Sequence, residues 1–189
     1  MSKIEANTID SVSGTSTLTL GSSNASTIAL GSGDVQSNFL YPAFEASLSA
    51  DQTISNNSQT KVQFNTEDLD TNGCYDNSTN YRFTPTVAGK YYIYSFLTIG
   101  QGTNVGIAGQ IYIRKNGSSI RETQTNVYNN NVLNMTSLHI SSIVTMNGSS
   151  DYLEIYGLAE VTSGSPRFEA SSAFGDCVFG GYRIGTWAY

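Results

Sequence analysis

Charge is scarce in this sequence. Of 189 residues, 9 are Lys or Arg and 15 are Asp or Glu, so only 13% are charged, about half the usual share. With a net charge of −6 and few cations, the chain has no phosphate-binding surface to offer, and nucleic acid is excluded as a partner. The densest cations, Arg114, Lys115 and Arg121, are spread over one hairpin. Histidine occurs once, as His139, and cysteine twice, as Cys74 and Cys177. Zinc asks for several such ligands at short spacing, and these three residues do not supply them. Two cysteines make no disulfide framework, and this distant pair bonds only if the fold brings the two together. Long hydrophobic runs are missing too. The longest, over residues 91–99, is broken by Ser95 and Thr98 and is about half a membrane span, so membrane insertion is not expected. Residues 1–5 lead into polar sequence without the apolar stretch of a signal peptide. The Asn-x-Ser/Thr triplets at Asn24 and Asn77 then read as composition rather than glycosylation sites. No window carries a capped apolar period of 3.6 residues, which argues against helices.

Catalytic constellations are equally thin. His139 lies in Thr136-Ser137-Leu138-His139-Ile140, between apolar residues at strand spacing, which suits an interface or core strand better than a general base. No Gly-x-x-x-x-Gly-Lys loop is present. An enzyme is therefore not expected. One acidic cluster has a cation-binding flavour: Asp68-x-Asp70-x-Asn72-Gly73 matches the opening of a calcium loop, with Asp76 at its ninth position. The twelfth position is Thr79 instead of a bidentate Glu. If calcium binds, Asp68, Asp70 and Asn72 are the donors and the role is structural; otherwise the cluster is a turn, and no cofactor is expected.

What the sequence does hold is strand material: Gly, Asn, Ser and Thr beside 12 Tyr and 8 Phe. Residues 1–38 differ from the rest, with no aromatic side chain and only short alternating apolar bursts. Ser-Thr-Leu18-Thr-Leu20-Gly-Ser is echoed by Ser-Thr-Ile28-Ala-Leu30-Gly-Ser, a repeat too thin to bury its thread alone. It reads either as a flexible linker or as a stem in which Leu18, Leu20, Ile28 and Leu30 pack between copies of the chain, and the regular placement of these residues favours the stem. Residues 39–189 form the head, an antiparallel all-β sandwich or jelly roll. Alternation marks strands at 44–48, 62–64 and 110–114, with Asn116-Gly117 as a hairpin turn. A second Asn-Gly, at 147–148, is expected to join residues 140–146 and 152–158 as another hairpin, and strands at 168–174 and 178–184 finish the series.

The strand over residues 90–99 is the informative one. Tyr91, Ile93, Ser95, Leu97 and Ile99 fall on one face and Tyr92, Tyr94, Phe96 and Thr98 on the other. A sheet face turned to water should be polar. Tyr92, Tyr94 and Phe96 are therefore expected to be covered by a neighbouring copy, an arrangement favoured over half-exposed tyrosines.

The stretch Phe83-Thr-Pro-Thr-Val-Ala-Gly89-Lys-Tyr91-Tyr-Ile93-Tyr resembles the central signature of the C1q/tumour-necrosis-factor superfamily, with Ile93 and Ser95 where that family has aromatics. Tyr75-Asp76-Asn77-Ser78-Thr79, Ser150-Asp151-Tyr152-Leu153-Glu154-Ile155 and Phe179-Gly180-Gly181-Tyr182-Arg183-Ile184 resemble its other conserved pieces, so that the likeness spans residues 42–186. It implies a jelly roll of two five-stranded sheets assembled as a threefold homotrimer. The repeats of residues 1–38 resemble stem segments of bacteriophage fibre proteins. Together they imply a virion protein on the particle exterior, a fibre or capsid-decoration trimer. Its stem would meet another virion protein, and its head would meet a host-surface glycan or protein through loops at 51–60, 101–108 and 123–131. The alternative is a secreted cytokine-like or lectin-like trimeric module.

Overall fold

The computed structural model describes residues 41–102, 105–127, 134–170 and 176–185, and every regular element among them is a strand. The repeats with Leu18, Leu20, Ile28 and Leu30 lie outside the described residues. Strands are numbered in chain order. One sheet of seven strands runs β4 (Thr66–Asp70), β1 (Ala43–Ser47), β13 (Val178–Gly185), β7 (Gly89–Gly100) and β10 (Met135–Met146), with β12 (Arg167–Phe168) and β2 (Gln52–Thr53) at the far end of β7. One edge of β7 carries β10 along its whole length; the other is shared by β13 and, at Ile99 and Gly100, by β12. The second sheet has six strands: β9 (Ser118–Asn126), β8 (Gly106–Lys115) and β11 (Leu153–Val161), flanked by β3 (Thr60–Lys61), β6 (Arg82–Phe83) and β5 (Tyr75–Asp76). All pairings are antiparallel, and the fold is the expected all-β jelly-roll sandwich.

The core fills the space between the sheets, and strand alternation decides which residues enter it. Tyr91, Ile93, Leu97 and Ile99 from β7 face Ile111 and Ile113 of β8 and Leu153 and Ile155 of β11, all fully buried. Aromatic rings close one end. Phe44 stacks on Phe83 at 4.1 Å and on Tyr75 at 5.2 Å, while Phe179 meets it edge-on at 4.8 Å. Losing a ring of this kind costs about 3–5 kcal/mol. Ser95, at a position where the resembled family carries an aromatic, also points inward; its hydroxyl donates to the Val178 carbonyl at 2.7 Å, so the polar atom is satisfied.

The structure revises several expectations. The two sheets have seven and six strands, because two-residue pieces join the long ones. Val62 and Phe64 are buried but lie beyond β3; the Val62 amide reaches the Ile155 carbonyl outside the regular ladder. Asn116-Gly117 is the tight hairpin turn foreseen, with positive φ at both residues (52° and 81°). Asn147-Gly148 is not a hairpin, since β10 belongs to one sheet and β11 to the other. The Asn147 side-chain oxygen accepts from the amides of Ser149, Ser150 and Asp151, which curls the loop so that the chain crosses between layers. Cys74 and Cys177 are both buried and free.

Gly157, on β11, faces the core with so little room that a Cβ there would stand 2.6 Å from both Leu97 Cδ2 and Phe168 Cε1. Gly157→Ala should therefore destabilise the head by about 1–3 kcal/mol through overpacking, read as a lower midpoint in urea unfolding.

Candidate functional site

The candidate site is the face of the seven-stranded sheet that looks away from the core. Its centre is β7, whose alternation is strict from Tyr91 to Phe96: odd residues are buried, Tyr92 and Tyr94 are half-buried, and Phe96 is 48% exposed. Register places His139, Ser141 and Ile143 of β10 beside Phe96, Tyr94 and Tyr92. On the other edge it places Val178, Gly180 and Tyr182 of β13 beside the same three residues. His139 stacks on Phe96 with centroids 4.5 Å apart, and Tyr92 contacts Tyr182 at 5.7 Å and Tyr94 at 6.1 Å. Ile143 is 61% exposed and Tyr182 is 37% exposed. The result is an apolar and aromatic field with little charge.

Tyr94 shows how sequence shapes this surface. Its ring lies across β13 because residue 180 is glycine; a Cβ at Gly180 would sit 2.4 Å from the Tyr94 ring. The ring thereby reaches β1, where the hydroxyl donates to the Glu45 carboxylate. Burial, and then this bond to an anion, push the Tyr94 hydroxyl far above the ordinary tyrosine range, so it remains a donor at every physiological pH. The bond fixes the ring flat and leaves its outer side free to meet another surface. At the end of the field, Phe96, Leu138, His139, Asp176 and Val178 line a shallow hollow.

Of the residues singled out from sequence, Tyr92, Tyr94 and Phe96 are thus on one exposed face, and His139 joins them there. Ile143, Tyr182, Gly180 and Glu45 were missed. The signal for Ile143 was slight: it adjoins Val144 and so falls on the opposite face, where its neighbours Ser141 and Thr145 are polar. The stretches at 51–60, 101–108 and 123–131 are not simple loops. They contain β2, part of β3, the start of β8 and the end of β9, while residues 103–104 and 128–131 lie outside the described residues.

In the acidic cluster the Asp70 carboxylate serves a turn. Both Asp70 carboxylate oxygens are engaged by backbone amides, from Asn72 at 3.2 Å, Cys74 at 3.0 Å and Tyr75 at 2.8 Å. Asp68 is exposed at a bulge in the β1–β4 ladder, and the Asn72 side-chain oxygen accepts from the Thr71 hydroxyl. Among the described residues no group of three or more His, Cys, Asp or Glu side chains converges as a metal centre requires. Asp76 similarly caps the next turn. It accepts from the amides of Ser78, Thr79 and Asn80, and the Thr79 bond is the foremost cause of a carboxyl held far below the usual range.

Two searches, against family models and against curated proteins, returned no match. Solved structures do match in shape. Eiger TNF from S. frugiperda superposes with a TM-score of 0.56 at 8% identity, covering 78% of this chain and 94% of that one. Murine APRIL at pH 5.0 gives 0.54 at 10% identity, covering 75% and 98%. The head is therefore a jelly roll of the tumour-necrosis-factor type, as the signature around Phe83, Gly89 and Tyr91 implied; at these identities the likeness speaks for the fold alone. Neighbours of this kind carry no bearing on the repeats of residues 1–38.

Two outcomes are expected of the acidic turns. Calcium addition should leave the melting temperature unmoved, whereas Asp70→Ala should lower stability by about 1 kcal/mol with no cation present. For Asp76 the folded value is depressed, so its contribution is complete above the unfolded carboxylate range near pH 4 and fades as the pH falls toward the folded value. Asp76→Ala should cost about 1 kcal/mol or less at pH 7, after screening, and the gap from the parent protein should narrow steadily as the pH falls below about 4 in acid unfolding curves.

Proposed function

We propose that the chain is a non-enzymatic binding module that works as a homotrimer, with the outer face of its seven-stranded sheet turned onto neighbouring copies. One observation carries this reading: Phe96, Ile143 and Tyr182 stand exposed in a single apolar field around Tyr92 and Tyr94. Exposed apolar surface grouped in this way marks an association site, and covering it removes the unfavourable contact with water. The threefold arrangement rests on the family signature at residues 83–94 and on the shape of the head, both of which favour that symmetry over a twofold pair. Three copies acting together would also multiply a weak contact made elsewhere on each head.

Two settings fit such a module. The repeats around Leu18, Leu20, Ile28 and Leu30 favour a bacteriophage fibre or decoration protein, carried by a stem on another virion protein and displayed on the particle exterior. The likeness to Eiger TNF and APRIL gives about equal support to a secreted, cytokine-like module. Labelling of intact particles with an antibody to the head separates the two: surface labelling is expected in the first setting and none in the second.

Self-association is tested directly by light scattering on the full chain. The expected mass is three times 20.3 kDa. Ile143→Asp or Phe96→Asp should shift it to one copy by burying a charge in the contact, with the far-ultraviolet strand signal retained. A parent protein that stays a monomer at micromolar concentration overturns the reading.

A further inference from the structure

The outer face of the other sheet has the opposite chemistry. Arg82 lies over the Tyr152 ring at 4.4 Å and Arg114 over the Tyr156 ring at 3.8 Å. Both rings belong to the outward-facing row of β11 and its lead-in, four residues apart, hence about 13 Å along the strand. Among the described residues neither guanidinium has a carboxylate partner, and the ion pairs there belong to Lys61, Lys115 and Arg167. Arg114 donates to the Gln59 side chain through one terminal nitrogen, while its Nε is buried without any partner. Two of its acids are engaged elsewhere, whereas Glu160, in the same outward row of β11, belongs to none of the ion pairs among the described residues. Glu154 is tied to Lys61 at 2.5 Å, and Asp76, opposite Arg82, turns its carboxylate into its own turn. Glu122 stands beyond Tyr112, on β9.

We propose that this face binds an acidic polysaccharide, with Arg82 and Arg114 each taking a carboxylate. A guanidinium held over an aromatic ring is restricted in orientation, and the N–H groups it has left, which on Arg114 are those of the terminal nitrogens, can donate to a carboxylate. Preorganisation of this kind lowers the ordering cost of binding. The scarcity of cations gives the grouping weight: three of the nine, Lys61, Arg82 and Arg114, meet beside Tyr152 and Tyr156 in a chain whose net charge is −6. That negative balance repels a densely charged polyphosphate. It tolerates a polymer whose charges are spaced, as the two guanidiniums are, with hydroxyl-bearing units between them. Between and beside the two arginines lie the hydrogen-bonding groups such units need, on Gln59, Gln110 and the tyrosines. The surface is on a different sheet from the self-association face, so failure of one proposal leaves the other standing.

The test uses the full chain and polygalacturonate as the probe, with dextran as the neutral counterpart and single-stranded DNA as the polyphosphate. Binding to polygalacturonate, weakened by salt and absent with dextran, is expected. Arg82→Gln and Arg114→Gln should each lower affinity about tenfold, the value of one charge-assisted contact. Arg82→Lys with Arg114→Lys should also lose affinity although charge is kept, because the paired geometry is gone. Arg121→Gln is the control: Arg121 sits at the register position of Ile113, on the opposite face of β9, and should change affinity less than twofold. Light scattering and melting temperature confirm that each variant keeps the parent's assembly and stability. If Arg114→Gln fails to fold, the lysine pair and Arg82→Gln decide. Equal loss with Arg121→Gln, equal binding of dextran, tighter binding of DNA, or no binding by the parent chain overturns the proposal.

Discussion

Strand β7 lies inside its sheet with a side-chain row on each face, and the rest of the head is arranged around it. Its odd residues are large and apolar and sink between the sheets; its even residues, Tyr92, Tyr94 and Phe96, are aromatic and face out. Its backbone is spoken for along both edges, by β10 over the full length and by β13 and β12 in turn. A strand so placed cannot slip. A shift of one residue would bring Tyr92 and Phe96 into the core and send Tyr91 and Ile93 to the surface, at a cost of several buried side chains at once. The registers of the neighbouring strands are then fixed relative to β7, and so are the residues that share its outer face.

That outer face depends on glycine as much as on aromatics. Tyr94 lies flat only because Gly180 offers no Cβ, and its hydroxyl then meets Glu45 two strands away. The same closing stretch supplies Phe179 and Gly181 to the core and Tyr182 to the outer field. Alternation along four residues thus serves packing and surface together. This explains why the stretch is recognisable as a motif: each position answers to a neighbour on a known side of the sheet.

Legibility followed the same division. The two faces of β7 could be read from the sequence because period-two alternation is local, and so could the Asn116-Gly117 turn. The apparent second hairpin at Asn147-Gly148 could not be judged locally. Whether two strands pair across a turn or part into different sheets depends on the layers they meet, and Asn147 serves the crossing as well as it would serve a hairpin. The acidic run could be read two ways for a related reason. Carboxylates at alternate positions suit calcium, but Asp70 and Asp76 were needed to satisfy the amides of tight turns, a use that leaves the same spacing. Ile143 was missed because strand β10 is otherwise polar on that face, and one residue does not make a pattern.

The two outward faces of the sandwich set its chemistry apart by side. On the seven-stranded sheet the large exposed groups are rings and aliphatic side chains, Ile143 and Ile184 among them, which suits contact with surfaces of the same kind. On the six-stranded sheet the rings are instead capped by cations, so their apolar faces are already covered and what remains exposed is directed hydrogen-bonding capacity. A surface of that second kind gains little from burial against another protein, because desolvating an unpaired guanidinium is costly unless an anion replaces the water. It gains from a ligand that brings anions and keeps water between them. If the first face is closed by assembly, the second is left pointing outward on every copy. Should the copies assemble as proposed, weak contacts repeated on each would reinforce one another, which suits a chain with so few charges.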